Sequence, residues 1–337
     1  HQLIYNTSGA LVQKKWLDSL NLLPQSSNIS LLGICSDTGG GIQRGANWGP
    51  LFIREYLQKY ELGLKYFDMG DIKVIPHLLH DKYLTEKTIE NCQSALYKDE
   101  VNLPVSPLSI AEKITKDFYH TFPKKGLLCL GGDHSVSYPI VKEFLLAKKT
   151  QGKKVAIIHF DAHTDLLTER LGIDICFGSW VPHILPFISS PDLVIQLGIR
   201  SSGKDKSHWE SKFGVQQFWA KEIKKQGAMK IAKNILNDLK KKNVDELYIS
   251  VDVDVLDEQY AGATGTPEPG GLDPAEVAII INQLSTEIRV VSADFVEVAP
   301  NVIQKLMPGC PEPETTLYSS LAILTSLIQA LNHNNGN

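Results

Sequence analysis

The chain has 337 residues, of which 43% are hydrophobic and 21% are charged. Lys and Arg together number 34 against 38 Asp and Glu, so the formal net charge is only -4. This balance gives no global electrostatic reason for binding nucleic acid or an anionic membrane, and the length is sufficient to bury a large apolar core. We therefore expect an ordinary globular protein with neither nucleic acid nor membrane as a partner.

The cysteine pattern and the apolar segments predict a cytoplasmic protein. The cysteines are scattered and include no CxxC pair, which in a chain of this length argues against a disulfide framework and fits a reducing compartment. No run approaches the ~18 apolar residues of a membrane-spanning helix, and the N-terminus has no continuous apolar segment of signal-peptide length. The cysteines are Cys35, Cys92, Cys129, Cys176 and Cys310.

Short apolar runs alternate with longer amphipathic segments along the chain. Consecutive apolar, β-rich residues are typical of parallel strands buried on both faces. Helical patterns lie between them, notably at 136–149 and at 220–242, and the polar stretch 81–102 is either an insertion or a surface helix. The predicted strands are 30–35 (SLLGIC), 64–69, 127–130, 155–161 (VAIIHFD), 193–199, 247–253 (LYISVDV) and 288–295.

This alternation predicts an α/β fold with a parallel sheet flanked by helices. Because the sequence contains no repeat, no low-complexity tract and no Gly/Ser linker, we predict one catalytic domain over 29–330. An N-terminal extension (1–28) precedes it and a short tail (331–337) follows.

Three polar clusters each come directly after a predicted strand: GGDHS at 131–135, DAHTD at 161–165 and DVD at 252–254. In open parallel sheets, ligands bind outside the carboxyl ends of the strands, so the three clusters should converge on one crevice. If the chain stays extended past each strand, residues two apart point to the same side. The resulting candidate metal ligands are His134, Asp161, His163, Asp165, Asp252 and Asp254.

Four carboxylates and two imidazoles without a thiolate suit Mn²⁺, with Fe²⁺, Co²⁺, Ni²⁺ and Zn²⁺ as alternatives. Six side chains exceed what one such ion usually takes, which favours two ions sharing bridging carboxylates. Such a pair lowers the pKa of a coordinated water toward ~7. Each cluster also has a structural alternative; GGDHS, for instance, fits a strand-to-helix turn with Asp133 or Ser135 as the N-cap. Their joint occurrence at three strand ends favours the metal site.

In this order, GGDHS, DAHTD and SVDVDVLD resemble the three metal-binding motifs of the ureohydrolase (arginase–agmatinase) superfamily. The resemblance covers about 29–328. It implies a three-layer α/β/α fold around a mostly parallel sheet, two Mn²⁺ ions, and hydrolysis of guanidino or formimino C–N bonds. Further matching segments are GGIQRGANWGPLFIR at 40–54, DMGD at 68–71, QLGIRS at 196–201, ATGTPEPGGL at 263–272 and EVAP at 297–300.

The resemblance also implies roles for individual residues. One ion would be held by His134, Asp161, Asp165 and Asp252, and the other by Asp161, His163, Asp252 and Asp254. Glu297 matches the glutamate that holds the cationic head of the substrate, a fork-shaped group that suits a carboxylate. Thr266 matches a threonine of the same pocket. Arg200, in QLGIRS, either binds a substrate carboxylate or locks the loop beside the crevice.

One departure bears on the substrate. Arginases and agmatinases carry His-Gly about a dozen residues after the second motif, and that imidazole helps to protonate the leaving amine. Here Phe177 precedes Gly178, and a phenyl ring cannot move a proton. The stretch 166–168 (LLT) also lacks the Asn and Ser with which arginases hold the amino-acid head. Formimidoylglutamases lack the loop histidine too, so we expect N-formimino-L-glutamate first, then agmatine, then arginine.

Without that histidine, Asp165 and His183 are the candidate proton carriers, although His183 also fits a helix-packing role. Cys176 is more typical of a buried hydrophobe, and His159 of a hydrogen-bonded core histidine. Because relatives are oligomers, a trimer or hexamer is expected. Two other functions stay open: a non-catalytic metal-binding relative, and a deacetylase of similar architecture, which typically has one metal. Gly39–41 lacks the GxGxxG spacing of a dinucleotide site.

Overall fold

The structure is a computed structural model, which describes residues 14, 18, 21, 27–97, 102–302 and 312–333. Most of the predicted N-terminal extension lies outside the described residues, as do the last residues of the tail and Cys310. The strands are β1 (Ile29–Ile34), β2 (Phe67–Asp71), β3 (Gly126–Gly131), β4 (Val155–Phe160), β5 (Val194–Leu197), β6 (Gln216–Phe218), β7 (Glu246–Asp252) and β8 (Arg289–Val296). The helices are α1 (Gly49–Lys59), α2 (Glu86–Tyr97), α3 (Pro107–Thr121), α4 (Ser137–Thr150), α5 (Trp180–Ile184), α6 (Lys206–Phe213), α7 (Ala220–Gln226), α8 (Ala228–Lys241), α9 (Pro274–Ser285) and α10 (Glu314–His333).

The strands of the described chain form one sheet in the order β2-β1-β3-β8-β7-β4-β5-β6. Every neighbouring pair is parallel, which confirms the predicted sheet. The seven predicted runs all form strands with small shifts of their ends. The sequence did not predict β6, because its three residues (QQF) include two polar ones and lie at the edge of the sheet.

Helices pack in two groups, which complete the three layers. On one side α3 packs on α4 and α4 on α5; in the other group α8 packs on α9, α9 on α10, and α10 on α1. The inner strands β1, β3, β4 and β7 are buried along their whole length, as expected for strands covered on both faces. The three-layer α/β/α prediction is therefore confirmed.

Two helical predictions have different outcomes. The single helix expected over 220–242 is wrong, because the chain breaks at Gly227, whose φ of +89° and ψ of 136° are not helical and suit only glycine. The polar stretch 81–102 contains α2, which buries none of its described residues and is a surface helix. None of the described helices combines the length and apolarity needed to cross a bilayer.

The four central strands bring the functional clusters together. β3, β8, β7 and β4 are neighbours in the sheet, and at their carboxyl ends the chain continues into His134, Glu297, Asp254 and Asp161 respectively. Since parallel strands end at the same edge, these residues meet in one crevice although up to 163 positions separate hydrogen-bonded partners.

Candidate metal centre

His134 lies in a short 3₁₀ turn between β3 and α4. Asp133 caps this turn by accepting the Ser135 N–H at 2.8 Å, and Gly132 allows it, since a Cβ there would overlap the Ser36 carbonyl. The N-cap role therefore belongs to Asp133 and coexists with the presentation of His134 to the crevice.

A buried serine and a buried aspartate determine the tautomer of His134. Its Nε2 is 3.0 Å from Ser250 Oγ, which donates its hydrogen bond to Asp294 Oδ1 at 2.8 Å. Because the hydroxyl has one hydrogen and gives it to Asp294, His134 Nε2 must be the donor to Ser250. Nδ1 then carries the lone pair and is free to bind a cation.

That nitrogen faces three carboxylate oxygens and has no hydrogen-bond partner of its own. It lies 3.3 Å from Asp161 Oδ2, 3.1 Å from Asp165 Oδ2 and 3.2 Å from Asp252 Oδ2. All four residues are buried. A lone pair surrounded by three buried carboxylates is unfavourable unless a positive charge lies between them, so this donor set fits a divalent cation.

A second subsite shares Asp161. Its Oδ1 lies 3.4 Å from His163 Nδ1, and Asp254 Oδ2 lies 3.1 Å from the same nitrogen. The other Asp254 oxygen accepts the Ala162 N–H. Ligand-type atoms of Asp161, His163 and Asp254 lie close enough to hold one ion, beside the group that contains His134, Asp161 and Asp165. The arrangement can therefore hold two cations on either side of Asp161.

The local backbone differs from the extended chain expected after each strand, and that expectation is wrong. β7 ends at Asp252, which caps a 3₁₀ turn (Val253–Val255) by accepting the Asp254 N–H at 2.9 Å. After β4, Asp161 accepts the His163 N–H at 2.6 Å, and Asp165 has a φ of +50°. Tight turns capped by the acidic side chains themselves thus orient the ligands.

The pKa shifts of Asp252 and His134 indicate that the crevice favours bound positive charge. Burial raises the pKa of Asp252 well above its usual value, and the charges of Asp254 and Asp161 raise it further. Burial lowers the pKa of His134, but the three facing carboxylates, which favour a protonated Nδ1, outweigh that effect, and the net pKa is well above normal. A metal-free site therefore retains protons that a bound cation would replace.

Glu297 follows β8 and lies at the same edge. Its Oε1 accepts the His134 N–H at 2.9 Å, and its Oε2 points toward Gly265, where a Cβ would lie 3.7 Å away. Glu297 is buried, with a φ of +65°. Burial raises its pKa well above normal, and the charge of Asp133 adds to the rise. Thr266 lies nearby, since its hydroxyl donates to Asp254 Oδ2 at 3.1 Å.

Two other predicted site residues have their polar atoms engaged elsewhere. The Arg200 guanidinium donates to six main-chain carbonyls, those of Gly198, Asp254, Val255, Leu256, Glu268 and Pro269. These bonds use all its N–H groups and favour the loop-locking alternative. His183 Nε2 is 3.1 Å from the Thr168 carbonyl, and its ring contacts Tyr138 edge-on, which favours the packing alternative.

Phe177 and Trp180 line the same loop. The Phe177 ring lies against Gly41, and the Phe177 N–H donates to the Gly39 carbonyl. A Cβ at the next residue, Gly178, would lie 4.0 Å from Asp165 Oδ1.

Trp180 is fully buried. Its Nε1 donates to Asp165 Oδ2 at 2.9 Å, and its ring packs on His134. Cys176 is a buried free thiol, as expected.

Sequence reasoning missed several residues that support the ligands. Trp180 had no signal beyond its place after the site loop. Ser250 and Asp294 had one: each is a polar residue within an otherwise apolar strand, and such residues are hydrogen-bonded when buried. Glu268, in GTPEPGG, was also missed; its Oε1 lies 3.5 Å from His163 Nε2, as expected of a carboxylate that orients a ligating histidine.

Comparison with known proteins places this chain in a family. The sequence pattern of the arginase family matches residues 27–313. The chain belongs to the arginase family. It is 32% identical over 287 residues to an agmatinase of Bacillus cereus, covering 82% of this chain and 85% of that one.

Solved structures agree with the fold of this arginase-family chain. The formimidoylglutamase of Bacillus subtilis aligns with a TM-score of 0.70 at 24% identity, over 90% of this chain and 87% of that one. The proclavaminate amidino hydrolase of Streptomyces clavuligerus aligns with a TM-score of 0.68 at 24% identity, over 90% and 92%. At these identities the structural likeness establishes the fold alone.

Membership confirms the superfamily that the motifs predicted. Arginase-family proteins are hydrolases of C–N bonds other than peptide bonds, in linear amidines, and so is this chain. The family depends on a binuclear metal centre, and the buried His/Asp cluster is suited to one.

Proposed function

We propose that this arginase-family hydrolase cleaves a small guanidino compound of the agmatine type and releases urea. The observation that carries the proposal is Glu297, a buried carboxylate beside the acidic crevice with one oxygen held by the His134 N–H. In the part of the chain described, no Lys or Arg forms an ion pair with it. A planar guanidinium placed against Glu297 would favour the ionised carboxylate despite the rise in pKa that burial causes, and would form a charge-assisted hydrogen bond with it.

The metal centre belongs to the same proposal. His134, Asp161, Asp165 and Asp252 would hold one Mn²⁺ ion, and His163, Asp254 and the shared Asp161 and Asp252 the other. The two ions would supply Lewis-acid polarisation and lower the pKa of a coordinated water toward ~7. Mn²⁺ is preferred because the donors are mainly carboxylates with two imidazoles.

Protein side chains would bind the substrate and move the proton. Glu297 would hold the guanidinium, and Thr266 would line the pocket next to Asp254. Asp165 is the better proton carrier, because the His183 ring is already bonded to the Thr168 carbonyl. Trp180 leaves Asp165 Oδ1 free by occupying Oδ2.

N-formimino-L-glutamate, the substrate first expected, is our second candidate. Phe177 still favours it, since that ring stands where guanidino hydrolases have a histidine. Two observations place agmatine before N-formimino-L-glutamate. Arg200 has no N–H left for a substrate carboxylate, and an agmatinase is similar over most of the chain.

A product assay on Mn²⁺-loaded protein tests the proposal. Agmatine, 4-guanidinobutyrate, arginine and N-formimino-L-glutamate are supplied separately, and urea and formamide are measured. We expect urea from agmatine. Formamide from N-formimino-L-glutamate without urea from any guanidino substrate would reject the proposal in favour of the second candidate. Full metal loading without turnover of any substrate would favour the non-catalytic alternative.

A cytoplasmic location and assembly into a trimer or hexamer stay predictions. Light scattering tests the oligomeric state.

A further inference from the structure

Four polar side chains form a continuous hydrogen-bonded row that crosses three strands and ends at Asp161. Trp219 Nε1 is 3.0 Å from Gln217 Oε1, and Gln217 Nε2 is 2.8 Å from Gln196 Oε1. Gln196 Nε2 is 3.0 Å from His159 Nδ1, and His159 Nε2 is 2.9 Å from Asp161 Oδ2. We call the first four residues the relay.

The register of the sheet builds the relay. Gln217 of β6 pairs directly with Gln196 of β5, and Gln196 pairs with His159 of β4. These three side chains are almost completely buried, at 1%, 0% and 0% exposed. Buried polar groups at matched positions on adjacent strands have little choice of partner, so each must satisfy the next.

The direction of every hydrogen bond in the relay follows from its outer end. An indole N–H can only donate, so the Gln217 atom facing Trp219 is the carbonyl oxygen and its NH₂ faces Gln196. Gln196 then accepts through its oxygen and donates through Nε2, to His159 Nδ1 and also to the Thr164 carbonyl at 2.6 Å. His159 Nδ1 is therefore an acceptor, and the proton of the neutral ring is on Nε2.

The direction of these hydrogen bonds determines whether His159 can bind a metal ion. By distance alone it could be a fourth ligand of the subsite with His134, Asp161 and Asp165. However, Nδ1 is used by Gln196, and the Nε2 hydrogen points at Asp161 Oδ2, so neither nitrogen has a lone pair for a cation. The same Asp161 oxygen lies 3.3 Å from His134 Nδ1, whereas Oδ1 faces His163.

We infer that the relay makes His159 a positioning residue: it holds His159 as the Nε2–H tautomer, and that N–H fixes the rotation of the carboxylate shared by the two metal subsites. The inference rests on the proposed metal centre. Residues that orient ligands in this way typically change metal affinity by ~10–100-fold when they are replaced.

The experiment compares two neighbouring glutamines of β6 and their partner in β5. Gln196→Met removes the donor to His159, and Gln217→Met removes the donor that orients Gln196. Gln216→Met is the matched control, because its amide donates to Asp238 outside the relay. The Mn²⁺ dissociation constant is measured by competition with a chelating indicator, and the ¹⁵N shifts of the His159 ring by NMR of histidine-labelled metal-free protein.

We expect a protonated Nε2 and an unprotonated Nδ1 at His159 in the wild type. Mn²⁺ affinity should fall by ~10–100-fold in Gln196→Met and by a smaller factor in Gln217→Met, where the Thr164 carbonyl still orients Gln196. The control should match the wild type. If Gln196→Met does not fold, Gln217→Met carries the affinity test.

A proton on Nδ1 in the wild type would overturn the inference, as would unchanged affinity in Gln217→Met or an equal loss in Gln216→Met. Failure of the proposed function is separate. A wild type that binds two Mn²⁺ ions but hydrolyses no amidine would reject the substrate proposal and leave the relay intact. A wild type that binds no Mn²⁺ would reject both.

Discussion

At the scale of single residues, some side chains of the crevice are suited to bind cations, and others orient those candidate ligands through hydrogen bonds. His134 turns its bare Nδ1 to three carboxylates because Ser250 and Asp294 fix its other nitrogen. Trp180 restrains Asp165 in the same way through Oδ2. His134 thus has one nitrogen available for a cation and one held by the protein, while Trp180 holds the Asp165 oxygen that faces His134 Nδ1; both contacts limit rearrangement on binding.

Glu297 provides the residue-scale prediction. Glu297→Gln keeps the oxygen that accepts the His134 N–H but removes the negative charge that would hold a guanidinium. We expect kcat/KM for the guanidino substrate to fall by roughly 10²–10³-fold, with unchanged Mn²⁺ content because Glu297 is not a proposed ligand. Steady-state kinetics and elemental analysis measure the two quantities. Glu169→Gln, an exposed acid of the loop after Asp165, is the control. Wild-type kinetics in Glu297→Gln would contradict the assigned role.

At the scale of elements, the turns that follow the strands determine where the candidate ligands lie. The parallel strands bring the candidate ligands to one edge of the sheet. Short turns capped by acidic side chains then set the direction in which each ligand points. The helix break at Gly227 and the ion pair between Glu112 of α3 and Lys142 of α4 include none of the predicted site residues, so they allow the fold to be tested apart from the ligands.

Gly227 has a φ of +89° and nothing within 4 Å of a Cβ built on it. Gly227→Ala should therefore destabilise the protein by conformational strain alone, by about 1–3 kcal/mol in the free energy of unfolding. Gly203 also has open space around its Cβ position but no positive φ, so Gly203→Ala is the matched control and should be close to neutral. Urea unfolding measures both. Equal stability of the two variants would show that the backbone at Gly227 is not strained by a side chain.

Glu112 of α3 accepts a hydrogen bond from Lys142 of α4 at 2.8 Å, and its other oxygen lies 3.6 Å from His80 Nε2. The neighbouring His80, and then the hydrogen bond from Lys142, lower the pKa of Glu112 to about 2 against the opposing effect of burial. A lowered pKa stabilises the folded state above the unfolded-state value near ~4.3, and this contribution is lost as the pH falls toward about 2.

Glu112→Gln should accordingly reduce the free energy of unfolding by ~0.5–1 kcal/mol at neutral pH, a modest value because the pair is partly exposed. The difference from the wild type should disappear as the pH is lowered through that window. Unfolding in urea at a series of pH values measures it, with Glu90→Gln on the exposed side of α2 as the control. A difference that grows toward acid pH would contradict the linkage.

At the scale of the whole molecule, the sheet concentrates buried negative charge at one edge. Asp161, Asp165, Asp252 and Asp254 are all buried there, and the pKa of Asp252 is raised by burial and by repulsion from its neighbours. Positive charge at this edge, as protons or as bound cations, would offset the repulsion between the acids, so we expect stability and function to depend on the same site.

Removal of metal should therefore lower the thermal unfolding temperature. A ligand present at a hundred times its dissociation constant stabilises the folded state by about 2.7 kcal/mol, and chelation by EDTA should remove that amount. Differential scanning calorimetry before and after chelation, and after addition of Mn²⁺, measures the change. In Asp252→Asn, which removes one charge, the shift should be smaller. An unfolding temperature that does not respond to chelation would mean that no cation stabilises this edge.

The sequence alone determined the α/β class and the candidate ligands, because both depend on local patterns. Apolar runs predict buried parallel strands wherever they occur, and GGDHS, DAHTD and DVD each place ligand-type residues directly after such a run. Even the tautomer-setting Ser250 and Asp294 had a local signal, as polar residues inside apolar strands.

Only the tertiary structure decided how the remaining residues act, because their partners are distant in the sequence. From sequence, Arg200 suits a substrate carboxylate and a loop equally well; in the fold its guanidinium is surrounded by carbonyls from 254–256 and 268–269. The relay exists because the sheet order places β6 beside β5 and β5 beside β4 in matching register. Strand order and register arise from packing of the whole chain, and no local pattern encodes them.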